Sequence, residues 1–359
     1  MKKTAIVATA ALLCSGAASA QQVSIYGIVD VGVAHTTNAN AAGGSVTKMP
    51  SLTASVPSRI GLRGAEELGK GVAANFALES GFGPDTGTLG QGNRLFGRQA
   101  WVGLKGAYGQ LMLGRQNNMT LVSIAKADVI GPNIFSISSL DSYLPNARSD
   151  NAVGYLGTFS ALTVGATYSL GRDTSAAGGP GATGCAGESA TDSQACRQAT
   201  ALVSYDTKAF GVLAAYDVLR GGVGAAAGLT SSDYQDRRTS FNGYAMAGAT
   251  RIGAGLVARR TAAAATTRSD LYYLGMSTPL APQWQLDAQV ARLSVKDTAR
   301  RSTLAVARLS YLLSKRTAAH ASIGRMDNAG GAAVALDAGG TVGAGLDQNG
   351  ILVGIRHAF

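Results

Sequence analysis

Leu162-Thr163-Val164-Gly165-Ala166-Thr167-Tyr168-Ser169-Leu170-Gly171 alternates without a fault. Leu162, Val164, Ala166, Tyr168 and Leu170 fall on one side and Thr163, Gly165, Thr167, Ser169 and Gly171 on the other, the period of a strand with one apolar and one polar face. Asn151 to Thr158 precedes it across a short turn near Ser160, and the two segments read as a hairpin. The same division recurs in both directions along the chain. Val23 to His35 sets Val23, Ile25, Val29, Val31 and Val33 against Ser24, Tyr26 and Asp30. Ser58 to Gly64 sets Ile60 and Leu62 against Arg59 and Arg63.

The third strand opposes Val72, Ala74, Phe76 and Leu78 to Asn75 and Glu79, and Glu66 to Gly71 reads as the polar turn before it. Arg94 to Lys105 forms a fourth strand, in which Arg98 shares parity with Ala100, Val102 and Leu104 and needs a bulge or a strand-end position to face the polar side. Gln110 to Gln116 is the fifth. Beyond the hairpin, strands follow at Gln198 to Asp206, Gly211 to Arg220, Arg237 to Gly248, Gly253 to Arg260, Arg268 to Ser277, Trp284 to Val295, Ser302 to Leu312, Thr317 to Met326 and Asn349 to Phe359, sixteen in all. Short connections (Thr207 to Phe210, Thr278 to Gln283, Leu313 to Arg316) alternate with long ones (Asp173 to Arg197, Gly221 to Asp236, Asp327 to Gln348).

Composition says what faces outward. Charged residues are 14% of the chain, 48 residues are glycine, and the mean hydropathy is slightly positive. Those values are odd for a soluble domain with about a quarter of its residues charged. Outside the first twenty residues no apolar run reaches the ~18 residues a membrane helix needs. The fold class that reconciles these observations is all-β, a 16-stranded antiparallel transmembrane barrel with lipid on the apolar face and water on the polar one. An arginine on the lipid side near mid-membrane would cost about 2–4 kcal/mol, so Arg59 and Arg63 are expected to point inward. Closure removes the unpaired edges that such strands would otherwise expose. Tyr168, Tyr205, Trp284, Tyr311 and Phe359 lie near strand ends, where aromatic rings favour the membrane interface.

One stretch breaks the pattern. Residues 117–150, NNMTLVSIAKADVIGPNIFSISSLDSYLPNARSD, keep neither a period of 2 nor one of 3.6 and read as a long connection. Long connections without structure of their own usually bind or gate something. This one is expected to fold inward as the barrel's third loop and narrow a pore.

The ends divide the chain into two regions. Lys2 and Lys3, the apolar run Ala5 to Leu13, and Ala18-Ser19-Ala20 read as a cleaved secretory signal over residues 1–20, leaving residues 21–359 as the barrel domain. The remainder carries 29 basic and 21 acidic residues, a net charge of +8. Cys14 leaves with the signal. Cys185 and Cys196 remain for an oxidising compartment and are expected to form a disulfide, two free thiols being the other reading.

Several motifs together resemble the general porins of Gram-negative outer membranes, of the neisserial and beta-proteobacterial type. They are Val23-Ser24-Ile25-Tyr26-Gly27-Ile28-Val29-Asp30, Ser58 to Gly69, Phe96 to Leu104, Leu113-Gly114-Arg115-Gln116, Leu313 to Thr317 and the closing Gly354 to Phe359. The resemblance implies a multi-pass outer-membrane location, a homotrimer, an inward third loop and passive diffusion of small hydrophilic solutes. It also implies that Phe359, with Ile351, Val353 and Ile355, is the signal read by the barrel-assembly machinery. After Arg148 the sequence departs from the family pattern, running Ser149-Asp150-Asn151-Ala152 where an Asn/Ser pair and a Ser-Pro are usual.

Carried over by position, the arginines of an anion-preferring constriction are Arg59, Arg98 and Arg148, with Arg63 one step along from Arg59. Clustered guanidiniums between low-dielectric walls concentrate anions, and arginine does not give up its proton. Asp128 and Asp141 in the loop, or Glu79 on the wall, would complete a transverse field; the plainer reading is that such charges are solvated or pair to hold the loop. His35, His320 and His357 are scattered, and no phosphate-loop or Gly-x-Ser-x-Gly pattern occurs. No enzyme activity, catalytic residue, metal, cofactor or nucleic-acid partner is therefore expected; the partners are outer-membrane lipid and small anions and solutes. The alternatives are a substrate-specific channel and a barrel that serves mainly as a structural or adhesive surface protein.

Overall fold

A computed structural model describes residues 22–51, 53–173 and 182–359, and in it the chain forms one antiparallel sheet rolled shut. The wall strands are β1 (Gln22–Thr36), β3 (Arg59–Gly69), β4 (Val72–Gly81), β5 (Gln99–Gly106), β6 (Gly109–Asn117), β7 (Arg148–Phe159), β8 (Leu162–Ser169), β9 (Gln198–Asp206), β10 (Phe210–Arg220), β11 (Gln235–Ala247), β12 (Thr250–Ala262), β13 (Thr266–Ala281), β14 (Trp284–Val295), β15 (Arg301–Leu312), β16 (Thr317–Ala329) and β17 (Gln348–Ala358). A three-residue strand, β2 (Val46–Lys48), lies against the end of β1. The wall thus has sixteen strands, each paired with its sequence neighbour, and β1 closes the ring by pairing with β3 through Gln22–Ile28 and with β17 through Ile28–Thr36.

The alternation seen in sequence becomes two faces. Along β8, Leu162, Ala166 and Tyr168 are exposed while Thr163, Gly165, Thr167 and Ser169 are buried. Val212, Phe241, Leu274, Ile323 and Val353 are each more than half exposed on the outside, the inverse of a soluble protein. Inside, polar groups meet one another, as where the hydroxyls of Thr167 and Thr200 lie 2.6 Å apart across β8 and β9. Rings cluster outside near the short turns: Trp284 with Tyr311 at 4.8 Å between centroids, and Tyr205 with Phe210 at 6.2 Å.

Four expectations need correction. Glu66 to Gly71 is not all turn: β3 runs to Gly69 with a register shift between Glu67 and Gly69, and the reversal centres on Lys70, which takes positive φ. Polar residues continue a strand there because the sheet reaches beyond the apolar band. The turn placed at Thr278 to Gln283 is tighter, since β13 continues to Ala281 across a bulge at Pro279, a position that tolerates the missing N–H. β5 begins only at Gln99, so Arg98 precedes the strand and its parity conflict disappears. Finally, residues 117–150 are not a featureless connection: they contain a nine-residue helix, Met119–Ala127, and β7 already starts at Arg148. The signal-peptide expectation falls on residues outside those described.

Candidate functional site

The helix Met119–Ala127 starts where Asn118 accepts hydrogen bonds from the backbone N–H groups of Thr120 and Leu121, an N-cap of the usual kind. Its buried residues, Met119, Thr120, Ser123, Ile124 and Ala127, recur at helical spacing and face β9 to β12. One buried carboxylate organises the entry. Asp217 of β10 accepts from Asn118 Nδ2 (3.3 Å), Thr120 Oγ1 (3.0 Å), Gln198 Nε2 (2.8 Å) and the Tyr143 hydroxyl. Tyr143 is itself flanked by two guanidiniums, Arg238 at 4.1 Å and Arg172 at 5.0 Å from its ring centroid. Arg308 of β15 donates to the backbone oxygens of Ile130 (3.2 Å) and Ser55 (3.0 Å) while pairing with Asp287.

The inner wall is not uniformly polar, and this explains where the segment rests. Val257, Leu271, Tyr273, Leu304, Val306, Met326 and Leu352 sit at inward positions of β12 to β17 and bury Ile124, Ile130, Ile134, Phe135, Ile137 and Leu144. Glycines shape the seats. Gly324 and Gly350 are register partners in β16 and β17, and a Cβ on Gly350 would stand 2.6 Å from Phe135. Gly253 and Gly275 are partners in β12 and β13, and a Cβ on Gly275 would stand 2.5 Å from Val129. The segment can approach the sheet this closely because those positions lack side chains.

The sequence-predicted arginines lie on the other side of the ring. Glu79 on β4 is buried and accepts from Arg98 Nε (2.6 Å) and the Tyr26 hydroxyl (2.9 Å), with Arg59 Nε at 3.8 Å. Arg63 lies over the Tyr26 ring at 5.2 Å and is exposed. Arg148 is 3% exposed, makes no ion pair, and donates only to the Pro145 carbonyl at 3.2 Å, leaving Nε without a partner among the described residues. Arg98, Arg115, Arg172 and Glu79 are close enough to act on it electrostatically. Arg94 and Arg115 share Asp150, and Arg94 and Arg172 share Asp173. Six guanidiniums (Arg59, Arg94, Arg98, Arg115, Arg148, Arg172) therefore gather around three carboxylates. Arg98 and Gln91 face Asn133, Ser138, Ser142 and Asn146 of the segment across a space of about 340 Å³.

The predicted acids each have partners of their own. Glu79 belongs to the arginine wall itself. Asp128 caps the helix end, accepting from Gly131 N (3.1 Å) and Gln289 Nε2 (2.9 Å), and burial pushes its carboxyl above the ordinary value. Asp141 is gripped by Arg238 through Nε (2.9 Å) and Nη2 (3.2 Å), and Arg238 in turn binds Asp236. Burial alone would raise the Asp141 carboxyl, but the guanidiniums of Arg238 and Arg259 hold it below the usual range. A depressed carboxylate contributes stability that is complete above its unfolded value and lost as pH falls through its folded one. Acid below the ordinary carboxylate range should therefore release this latch, and Asp141→Asn should release it at neutral pH. Bilayer recordings check this: the variant at neutral pH should show the current noise of the wild type in acid.

Sequence reasoning missed Asp217, Arg238, Asp236 and Arg308. Each is a charge at an inward position inside an alternating strand, a signal that was available. Cys185 and Cys196 are joined, with Cα atoms 5.2 Å apart, and pack with Leu219, Ala225 and Leu229. Backbone bonds from Asp173 to Cys185 and from Arg172 to Cys196 connect this loop to the arginine cluster. Phe359 exchanges two 3.0 Å backbone hydrogen bonds with Gly27, and its ring occupies the space a Cβ there would need.

A closed sheet with apolar side chains outside and polar ones within defines a membrane-spanning barrel. A family model described as Gram-negative porin matches residues 5–331, and the chain belongs to that family: it forms an outer-membrane channel for diffusion of small hydrophilic solutes. Outer membrane porin protein 32 of Delftia acidovorans is 29% identical over 385 residues, with all of both chains covered. An outer membrane porin protein of Bordetella pertussis is 36% identical over 186 residues, 47% of this chain and 48% of the relative. Among solved structures, an anion-selective porin from Comamonas acidovorans matches with a TM-score of 0.79 and 24% identity, covering 94% of this chain and 100% of that one. A trimer form of OmpT from Vibrio cholerae matches at 0.65 and 14%, covering 94% and 99%. These two likenesses are of fold.

Proposed function

We propose that this channel prefers small anions, that its narrowest passage runs between the arginine cluster and residues 118–147 folded into the lumen, and that it works as a homotrimer. The observation that carries the reading is the surplus of guanidiniums over carboxylates on one wall, with Arg148 held nearly buried and making no ion pair among the described residues. A buried cation left unpaired is costly, so its retention argues for use. In a narrow passage with low-dielectric walls the uncompensated field acts on permeating ions over short distances, where salt screens it least. The opposite rim offers hydroxyls and amides whose neighbouring acids are committed to their own partners. An anion crossing there meets positive charge on one side and hydrogen-bonding neutral groups on the other.

The trimer is supported by the trimeric form among the solved relatives, and a cleaved signal and an assembly role for Phe359 fit an outer-membrane channel. The measurement for anion preference is the reversal potential of purified protein in a planar bilayer under a salt gradient. A sign reporting chloride over potassium is expected; a potassium-selective sign would overturn the proposal.

A further inference from the structure

At the long-loop end of the lumen lies a cavity that includes no residue of the arginine cluster. Its volume is about 330 Å³, near the lower end of the range usual for small-molecule sites. Strands β12, β13 and β14 form its wall, Leu140 and Asp141 of the inserted segment form its inner side, and Ala227, in the connection between β10 and β11, closes it toward the loops. Register lays the wall out in rows. Thr261 faces Thr267 nearest the loops; Arg259, Ser269 and Val295 make the next row, and Val257, Leu271 and Leu293 the one below. All stand on the inward parity, and successive rows are two residues, about 7 Å, apart along the strand. The cavity is therefore polar toward the loops on β12 and β13 and apolar below and on β14.

Both halves are left unfinished. Val257 and Leu271 are covered, but Leu293 and Val295 remain half-buried, apolar surface turned toward water inside a channel. The hydrogen bonding is unbalanced in one direction. Asp236 accepts at Oδ1 from Arg259 Nε (2.9 Å) and Thr261 Oγ1 (2.9 Å), and at Oδ2 from Arg238. Asp141 accepts from Arg238 at both oxygens. The acceptors are thus occupied, while both Nη groups of Arg259 and the hydroxyls of Thr267 and Ser269 have no hydrogen-bond partner among the described residues. The Arg259 side chain is 31% exposed and lines the cavity, so its unused donors are open to a solute.

We infer that this cavity binds an amphipathic monocarboxylate, an acid with an aryl or short alkyl body, ahead of the narrow passage. The two Nη groups of a guanidinium match the two oxygens of a carboxylate. Ser269 is directly across from Arg259, with Cβ atoms about 5 Å apart, and its hydroxyl can donate to the same group. An apolar body of about 7 Å then reaches the row of Leu271 and Leu293. An inorganic anion would leave the apolar half wet, and a neutral hydrocarbon would leave the donors unmet. Arg238 and Arg259 are balanced by Asp141 and Asp236, so attraction comes from directed hydrogen bonds and burial of the body, not from a net field. A channel must also release what it binds, and millimolar dissociation constants are expected. The inference rests on the barrel being an open channel and is independent of the selectivity proposed for the arginine cluster.

The test is isothermal titration of detergent-purified full-length protein, with the heats of micelles alone subtracted. Its probes are 3-phenylpropionate, propionate, which lacks the body, and 3-phenylpropanol, which lacks the charge. Wild type is expected to bind 3-phenylpropionate at least tenfold more tightly than either of the others. R259Q should lose the preference for the acid over the alcohol, and S269F, which fills the cavity with Arg259 in place, should lose binding of all three. Heat-shifted gel mobility verifies that each variant is a closed barrel. Equal affinity of wild type for the three probes would overturn the proposal without recourse to any variant. So would an undiminished preference in R259Q, undiminished binding in closed S269F, or binding lost in R59Q/R98Q/R148E but kept in S269F, which would put the acid at the arginine cluster. Reversal potentials recorded on the same preparations keep the two readings apart, since a potassium-selective sign would overturn the anion preference and leave the titration result standing.

Discussion

R59Q/R98Q/R148E is expected to convert the channel from anion to cation preference, with a change of at least about tenfold in the permeability ratio, the scale on which focused charge alters local ion concentration. The six guanidiniums and three carboxylates of the wild-type cluster become three and four, so the local surplus changes sign. Arg148→Glu alone separates field from scaffold, because Arg148 has no ion pair to break. It should reduce anion preference several-fold while Glu79 keeps Arg98 and Arg59. Arg98→Gln should act differently, since it also frees the Glu79 carboxylate held at 2.6 Å. Reversal potentials in a salt gradient read all three. Heat-shifted gel mobility verifies that each barrel is closed, and a triple variant that is closed yet still anion-preferring would remove these arginines from the selectivity account.

Gly350→Leu is expected to evict Phe135 and, with it, the middle of the segment it anchors. A Cβ at this position would approach the Phe135 ring at 2.6 Å and Leu336 at 2.7 Å, and the strand backbone cannot retreat without breaking its ladder with β16. Phe135 is fully buried, and Phe135→Ala, which empties the same seat from the other side, should cost about 3–5 kcal/mol of local anchoring. Both variants should raise single-channel conductance and its noise. Gly27→Ala is the control for a close-packed glycine away from the segment: it disturbs the Phe359 ring and should lower heat stability with the conductance of folded channels unchanged. A Gly350→Leu channel with wild-type conductance would show that the passage is narrowed elsewhere.

The wall was legible in the sequence because a strand between lipid and water has a strict period, and any slip would put arginine in the membrane. Gln198–Asp206 and Trp284–Val295 are placed to the residue. Strand ends were less legible at Glu66 to Gly69 and at Pro279, where the sheet continues past the apolar band and composition stops reporting it. The helix Met119–Ala127 was hidden because its buried face is built of small and polar residues, Thr120, Ser123 and Ala127, that seat on a wall already in place. Only the Asn118 cap marked it. The roles of Asp128 and Asp141 were illegible for a different reason: their partners, Gln289 and Arg238, lie 161 and 97 residues away, and pairing at such separation follows from barrel register.

The paired glycines of the wall carry a consequence for how such a protein changes over time. If the insert narrows the passage as proposed, calibre is encoded at Gly253, Gly275, Gly324 and Gly350, sheet positions that no permeating molecule and no antibody at the cell surface would touch. One codon change there would retune uptake through the whole envelope while every surface epitope stayed as it was.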